Sequence, residues 1–192
     1  HPEVDDMYAP AHNTFVVMET LTDSLCGASR PGHFRGVCTV VTKLFNIVQP
    51  HRAFFGQKDA QQLAIIKRMV ADLNMNVTVV GCPIVREADG LAKSSRNAYL
   101  SAEERQAALV LSRAVFAGKE AVEAGERDAA VLKALMSGII EAEPLARIDY
   151  VEVVDGATMQ PTDAIGAMAL IAMAVYIGST RLIDNFIFEE GN

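Results

Sequence analysis

"RAFFGQKDAQQLAIIKRMVADLNMNVTVVGCPIV", residues 52–85, decides the fold class. "RAFFG" (52–56) reads as a buried strand. Asp59 opens a helix, because Asp-Ala-Gln-Gln fits a capping-box pattern, and Leu63, Ile66, Met69, Val70 and Leu73 fall on its inner face. "NVTVVGCPIV" (76–85) is a second strand.

Upstream, Val37, Val40, Val41, Leu44, Phe45 and Val48 recur at three- and four-residue intervals, the stripe of an amphipathic helix that Pro50 ends. Helix, strand, helix and strand with short connections make a parallel crossover, right-handed by rule, the building unit of a doubly wound sheet. Before them, "GASRPGHFRG" (27–36) is expected as an elaborate loop, "TFVVM" (14–18) as a short strand, and the aperiodic first dozen residues as loop. Ligands of doubly wound sheets bind beyond the carboxyl ends of the strands. "GQKD" (56–59) and "READGLAKSSRN" (86–97) each follow a strand end, so both reach one crevice.

The texture changes after residue 98. "SAEE" opens a helix to about Ala124, and "RDAAVLKALMSGIIEAE" (127–143) gives another. "IDYVEVVD" (148–155), "AMALIAMAVYI" (167–177) and "TRLIDNFIF" (180–188) give strands joined by turns. This second part is expected to be a small α+β domain of two helices and a three-stranded antiparallel sheet, with the boundary between Gly90 and Asn97.

Bulk properties narrow the function. The 192 residues are 51% apolar, enough for a core, and the net charge of −7 lacks the broad basic face of a nucleic-acid binder. Any anion site must be local. Cys26, Cys38 and Cys82 show no zinc or disulfide spacing and fit a reducing cytoplasm. The uncharged run 164–180 falls short of the roughly 20 residues a membrane helix needs, and glycines break it, so it reads as buried strand.

Two stretches suit phosphate. In "FGQKDAQQ" (55–62), Gly56 permits close backbone approach, Lys58 offers a mobile charge, and Asp59 begins a helix whose dipole favours anions. On spacing alone, Asp59 and Gln62 could equally be an N-cap and its partner beside a solvated lysine. In "AKSSRN" (92–97), Arg96 offers a bidentate fork, Ser94 and Ser95 neutral donors, and Lys93 a further charge; a polar linker is the alternative. "RPGHFRG" (30–36) is a second anion site or a hydrogen-bonded turn. No Walker loop, nucleophile elbow or metal-ligand cluster is present in the sequence.

"GASRPGHFRGV", "FFGQKDAQQLAIIKRMV", "DGLAKSSRNAYLS" and "TRLIDN", in that order, resemble the pantothenate synthetase (pantoate–β-alanine ligase) family over essentially the whole chain. The resemblance implies an α/β fold in which residues 1–90 are the C-terminal portion of a Rossmann-like, doubly wound nucleotide-binding domain of the nucleotidylyl-transferase group, and residues 91–192 the small domain. It implies that ATP adenylates pantoate with loss of pyrophosphate, magnesium assisting, and that β-alanine attacks the pantoyl adenylate to give pantothenate and AMP. It implies a homodimer in the cytoplasm. Carried over, Gly56, Gln57, Lys58 and Asp59 match the ATP-binding stretch; Gln62 matches the glutamine on pantoate; Val85 matches a backbone contact to adenine. Lys93, Ser94, Ser95 and Arg96 match the mobile phosphate loop, similar to a KMSKS loop, with Lys58, Ser94, Ser95 and Arg96 the catalytic set. The family often has glutamate where Gln57 stands and leucine where Lys93 stands.

The family's opening strand and His-x-Gly-His motif do not occur in this sequence. That implies a fragment, inactive alone, with an open sheet edge that invites self-association. Two other readings stay open: a non-catalytic nucleotide-binding or dimerisation module completing a separate N-terminal half, and an adenylating enzyme for another acid.

Overall fold

The computed structural model describes residues 2–191, so His1 and Asn192 lie outside it. In chain order the helices are α1 (Val4–Met7), α2 (Leu25–Ser29), α3 (His33–Val48), α4 (Ala60–Asp72), α5 (Ala102–Ala107), α6 (Leu109–Glu123) and α7 (Ala129–Glu141). The strands are β1 (Arg52–Gly56), β2 (Thr78–Cys82), β3 (Ala146–Asp155), β4 (Met168–Ile177) and β5 (Thr180–Glu189).

β1 and β2 pair in parallel from Arg52 opposite Thr78 to Gly56 opposite Cys82, with α4 as the crossover. The helical period explains what α3 and α4 bury: Phe34, Cys38 and Val41 of α3 share one face, and Ile65, Ile66 and Met69 of α4 meet them in one core cluster. Each such aliphatic or aromatic side chain contributes about 1.5–3 kcal/mol when fully buried.

Several local expectations are corrected. Residues 14–18 form no strand: the Val16 N–H donates to Thr39 Oγ1 of α3 at 3.0 Å, and Val16 and Met18 pack on the core as irregular chain. α3 begins at His33 rather than Val37, because Gly32, at φ 79°, takes the left-handed turn that starts it, and α2 reaches Ser29, so only residues 30–32 of the expected loop lie outside helix. The first dozen residues include the turn α1, closed by a reciprocal Glu3 and Asp6 capping box. Asp59 stands before α4 without a side-chain cap bond, since a one-turn 3₁₀ helix, Gln57–Asp59, already delivers the chain. β2 is shorter than 76–85 because β1 offers it five partners and Pro83 has no N–H for a ladder. The helix expected to run to Ala124 is interrupted at Ala108 into α5 and α6, with a Ser101–Glu104 capping box at its start.

The remainder is a three-stranded antiparallel sheet in the order β3-β4-β5, with α6 and α7 packed on it. α7 starts where Asp128 accepts hydrogen bonds from the Ala130 and Val131 N–H groups. β4 explains the long uncharged run. Its Ala169, Ile171, Met173, Val175 and Ile177 belong to the core under the helices, whereas Leu170 and Ala172 cluster with Leu25, Ala60 and Met159 on the opposite face. A central strand covered on both faces needs apolar residues at every position. Among the described residues no helix is long and apolar enough to cross a membrane. The fold is thus a parallel α/β portion followed by a small α+β portion, as the sequence pattern indicated.

Candidate functional site

β1 ends at Gly56, the chain turns through Gln57–Asp59, and α4 leads away, which places Lys58 and Asp59 beyond the carboxyl end of the strand. There a cavity of about 250 Å³ opens between the two parts of the molecule. Lys58, Asp59 and Gln62 line it from one side, Arg96 from the tight turn Ser95–Tyr99, Arg30 from the end of α2 and His33 from the start of α3. β3 and β5 supply Tyr150, Arg181 and Asp184. The two sequence segments expected to share a crevice do share one.

Gln61, not Gln62, shapes the wall beside it. Its Nε2 donates to Leu21 O and Ser24 O, both at 2.9 Å, and its Oε1 accepts from Gly27 N–H at 3.3 Å. A buried amide with all these partners locks α2 against α4. Gly27 is required for this closeness: a Cβ there would stand 2.0 Å from Thr22 O. α2 in turn presents Cys26 to the cavity.

At the floor, Arg181 donates from Nε and Nη2 to Asp149 Oδ2 at 3.1 and 2.7 Å. The same guanidinium reaches Cys26 Sγ at 3.6 and 3.7 Å, and that sulfur lies 3.3 Å from Tyr150 Oη. Burial first, and then the neighbouring Cys26 sulfur, push the Tyr150 phenol above its ordinary value of 10.0, so it keeps its proton. His33 lies among these charged groups. Burial, then Arg30 and Arg96, hold its imidazole below the ordinary value of 6.5, against the pull of Asp59. Its Nε2 lies 3.2 Å from Arg30 Nη1. Arg30, Lys58, Arg96 and Arg181 make the cavity lining locally rich in cations although the chain carries a net charge of −7.

Other expected residues sit around the cavity rather than on it. Gly56 ends β1, and Gln57 lines two outer grooves. Val85 has an exposed side chain, and its carbonyl accepts from Lys93 N–H at 2.9 Å. Lys93 faces Glu87 at 3.9 Å. Ser94 spends its hydroxyl on the Arg96 N–H at 3.2 Å, capping the turn that carries Arg96, and Ser95 is the exposed first residue of that turn. Among the described residues no group of three or more His, Cys, Asp or Glu side chains is placed to hold a metal. Sequence reasoning assigned no role to Gln61, Cys26, Tyr150 or Arg181. The signal for Arg181 was a charge beside an apolar run, in "TRLIDN".

Comparison with known proteins gives one consistent result. Residues 1–187 match the pantoate-beta-alanine ligase family. The chain is 62% identical over 187 residues to a pantothenate synthetase of Ruminiclostridium cellulolyticum, covering 97% of this chain and 66% of that protein. It is 62% identical to the enzyme of that name from Heliobacterium modesticaldum, covering 98% and 67%. The crystal structure of pantothenate synthetase from Thermus thermophilus superposes with a TM-score of 0.91 at 46% identity, over 96% of this chain and 67% of that one. The Francisella tularensis pantoate-beta-alanine ligase, solved with beta-gamma ATP and beta-alanine, gives a TM-score of 0.67 at 30% identity, over 95% and 61%. The chain therefore spans about two thirds of the length of these relatives.

Proposed function

The chain belongs to the pantoate–β-alanine ligase family, and from that premise we propose that its cavity holds the triphosphate of ATP during adenylation of pantoate. The single observation that supports this is the convergence of Lys58 and Arg96 on one cavity from two separate loops. The pantoate carboxylate oxygen attacks the α-phosphorus, the bond to the β-phosphate oxygen breaks, and pyrophosphate leaves. Lys58 and Arg96 stabilise the negative charge that builds on the leaving oxygens, the lysine as a point charge and the arginine as a fork. The β-alanine amine then attacks the acyl carbon, loses its proton, and expels AMP as the amide forms.

Gln62 is the residue on this wall suited to hold pantoate, and the neutral His33 admits the anion without adding a fixed charge of its own. Gly56, Gln57, Asp59 and Val85 belong to the nucleotide's surroundings, and Lys93, Ser94 and Ser95 to the loop that brings Arg96 onto the phosphates. The same reading assigns a homodimer and a cytoplasmic location. Magnesium, when bound, neutralises phosphate charge; no step here depends on a protein-held ion.

The test is a chimera that places this chain behind the part of the Ruminiclostridium cellulolyticum protein it does not span. The folded chimera is expected to release pyrophosphate only with ATP and pantoate together, and to form pantothenate once β-alanine is added. A folded chimera that releases no pyrophosphate, or releases it without pantoate, overturns the assignment. The 192-residue chain alone is expected to bind ATP but to turn over little, for want of the His-x-Gly-His pair.

A further inference from the structure

β5 carries two polar residues that are almost wholly buried, Asp184 at 1% exposure and Asn185 at 4%. Each grips one of the two loops that converge on the cavity. Asn185 Nδ2 donates to Lys58 O at 2.8 Å and to Gln57 O at 3.1 Å, and since carbonyl oxygens only accept, the amide can face them only this way round. Asp184 takes Arg86 end-on: Nη1 donates to Oδ2 at 2.7 Å and Nη2 to Oδ1 at 3.0 Å.

Arg86 is the root of the loop that ends at Arg96. Its Nη1 also donates to Gly90 O at 3.0 Å, its backbone bridges Ala92, and Lys93 N–H returns to Val85 O at 2.9 Å. The two grips are joined, because Asp184 Oδ1 also accepts from Asn185 N–H at 2.8 Å. β5 packs against both tight turns, Gln57–Asp59 and Ser95–Tyr99.

We propose that Asp184 and Asn185 are positioning residues that set the distance between Lys58 and Arg96, so that both cations meet the same triphosphate. Apolar residues of similar volume would hold β5 in its sheet at least as well, because a buried ion pair adds little net stability over a well-packed apolar pair. Only directed hydrogen bonds fix where two separate loops stand relative to each other. Both residues act through other groups, Asn185 through the Lys58 carbonyl and Asp184 through Arg86. The proposal rests on the reading of the cavity as a triphosphate site.

The experiment compares Asn185→Ala, Asn185→Asp and Arg86→Lys with Val153→Ala, a core substitution under the helices, in the 192-residue chain. For each, ATP affinity is measured by calorimetry, thermal stability by unfolding, and amide hydrogen exchange is followed at residues 56–60 and 93–97. Asn185→Asp keeps the shape but turns a carboxylate on two carbonyl oxygens; it is expected to weaken ATP binding more than tenfold and to speed exchange in 56–60. Arg86→Lys is expected to weaken binding similarly and to speed exchange in 93–97. Val153→Ala is expected to lose stability while binding ATP as the parent does. Variants at Asn185 and Arg86 that keep parental affinity, or lose it only in step with stability as Val153→Ala does, overturn the proposal. A parent chain that fails to bind ATP overturns the triphosphate reading, and the proposal with it; normal ATP binding by the parent with unaltered variants overturns the proposal alone.

Discussion

Arg86 and Asp184 meet end-on across the junction of the two parts of the molecule, with nitrogen–oxygen distances of 2.7 and 3.0 Å and the carboxylate almost completely buried. Removing Arg86 leaves the Asp184 carboxylate buried without its charged partner, which costs about 3–5 kcal/mol. Arg86→Ala is therefore expected to lower stability by that order in denaturant unfolding. A loss below about 1 kcal/mol, the range of exposed pairs, would show that water replaces the guanidinium freely.

Lys58→Ala and Arg96→Ala, each made in the chimera, are expected to reduce pantoate-dependent pyrophosphate release by about 10²–10³-fold, the scale of losing one group that stabilises transition-state charge. Ser94→Ala and Ser95→Ala should cost less, because neutral donors are weaker than charged ones. Steady-state kcat with saturating ATP and pantoate distinguishes these outcomes, and near-parental kcat in Lys58→Ala or Arg96→Ala removes that residue from the set.

His33 gives a pH-dependent readout. Its folded-state value lies below 6.5, through burial, Arg30 and Arg96. As pH falls below 6.5 the unfolded chain takes up a proton before the folded chain does, so this group lowers stability as pH falls toward the folded value and contributes no further change below it. A bound triphosphate adds negative charge beside the ring and reverses the field of Arg30 and Arg96. Saturating ATP is therefore expected to raise the His33 value, followed through its ring carbon signals by NMR. A value that stays put, or falls, places the phosphates elsewhere.

Gly27→Ala puts a methyl group 2.0 Å from Thr22 O, so α2 must move. The cost is expected to be about 1–3 kcal/mol, typical of overpacking, together with weaker ligand binding, since α2 carries Cys26 into the cavity. Chemical denaturation alongside ATP titration checks both; a fully stable variant would mean the α2 backbone yields without strain.

The strand, helix and strand of 52–82 were legible because each period is clean and the junctions are short. β4 was legible from length and glycine placement, and the structure adds why no polar residue interrupts it: both faces are covered. The start of α3 was not legible, because Pro31, Gly32 and Gly36 mark a loop in any local reading, while Gly32 in fact serves as the left-handed entry to the helix. Residues 14–18 carry strand propensity, but tertiary packing onto Thr39 and the α3–α4 core decided against a sheet partner. Within the site, Lys58 and Arg96 could be found because both follow strand ends. Tyr150 and Arg181 could not, because they reach the cavity only once the antiparallel sheet docks on the parallel part. Gln61 was overshadowed by Gln62, and only the buried carbonyls of Leu21 and Ser24 tell the two apart.

The most direct measurement is a double-mutant cycle on ATP affinity, with the chain, Lys58→Ala, Arg96→Ala and the double variant titrated under one salt and magnesium condition. Both single variants should bind at least tenfold more weakly, about 1.4 kcal/mol each, and the double variant should depart from the sum of the two losses, as expected for groups sharing one ligand. Parental affinity in either single variant, or strictly additive losses, would contradict a single triphosphate held between Lys58 and Arg96.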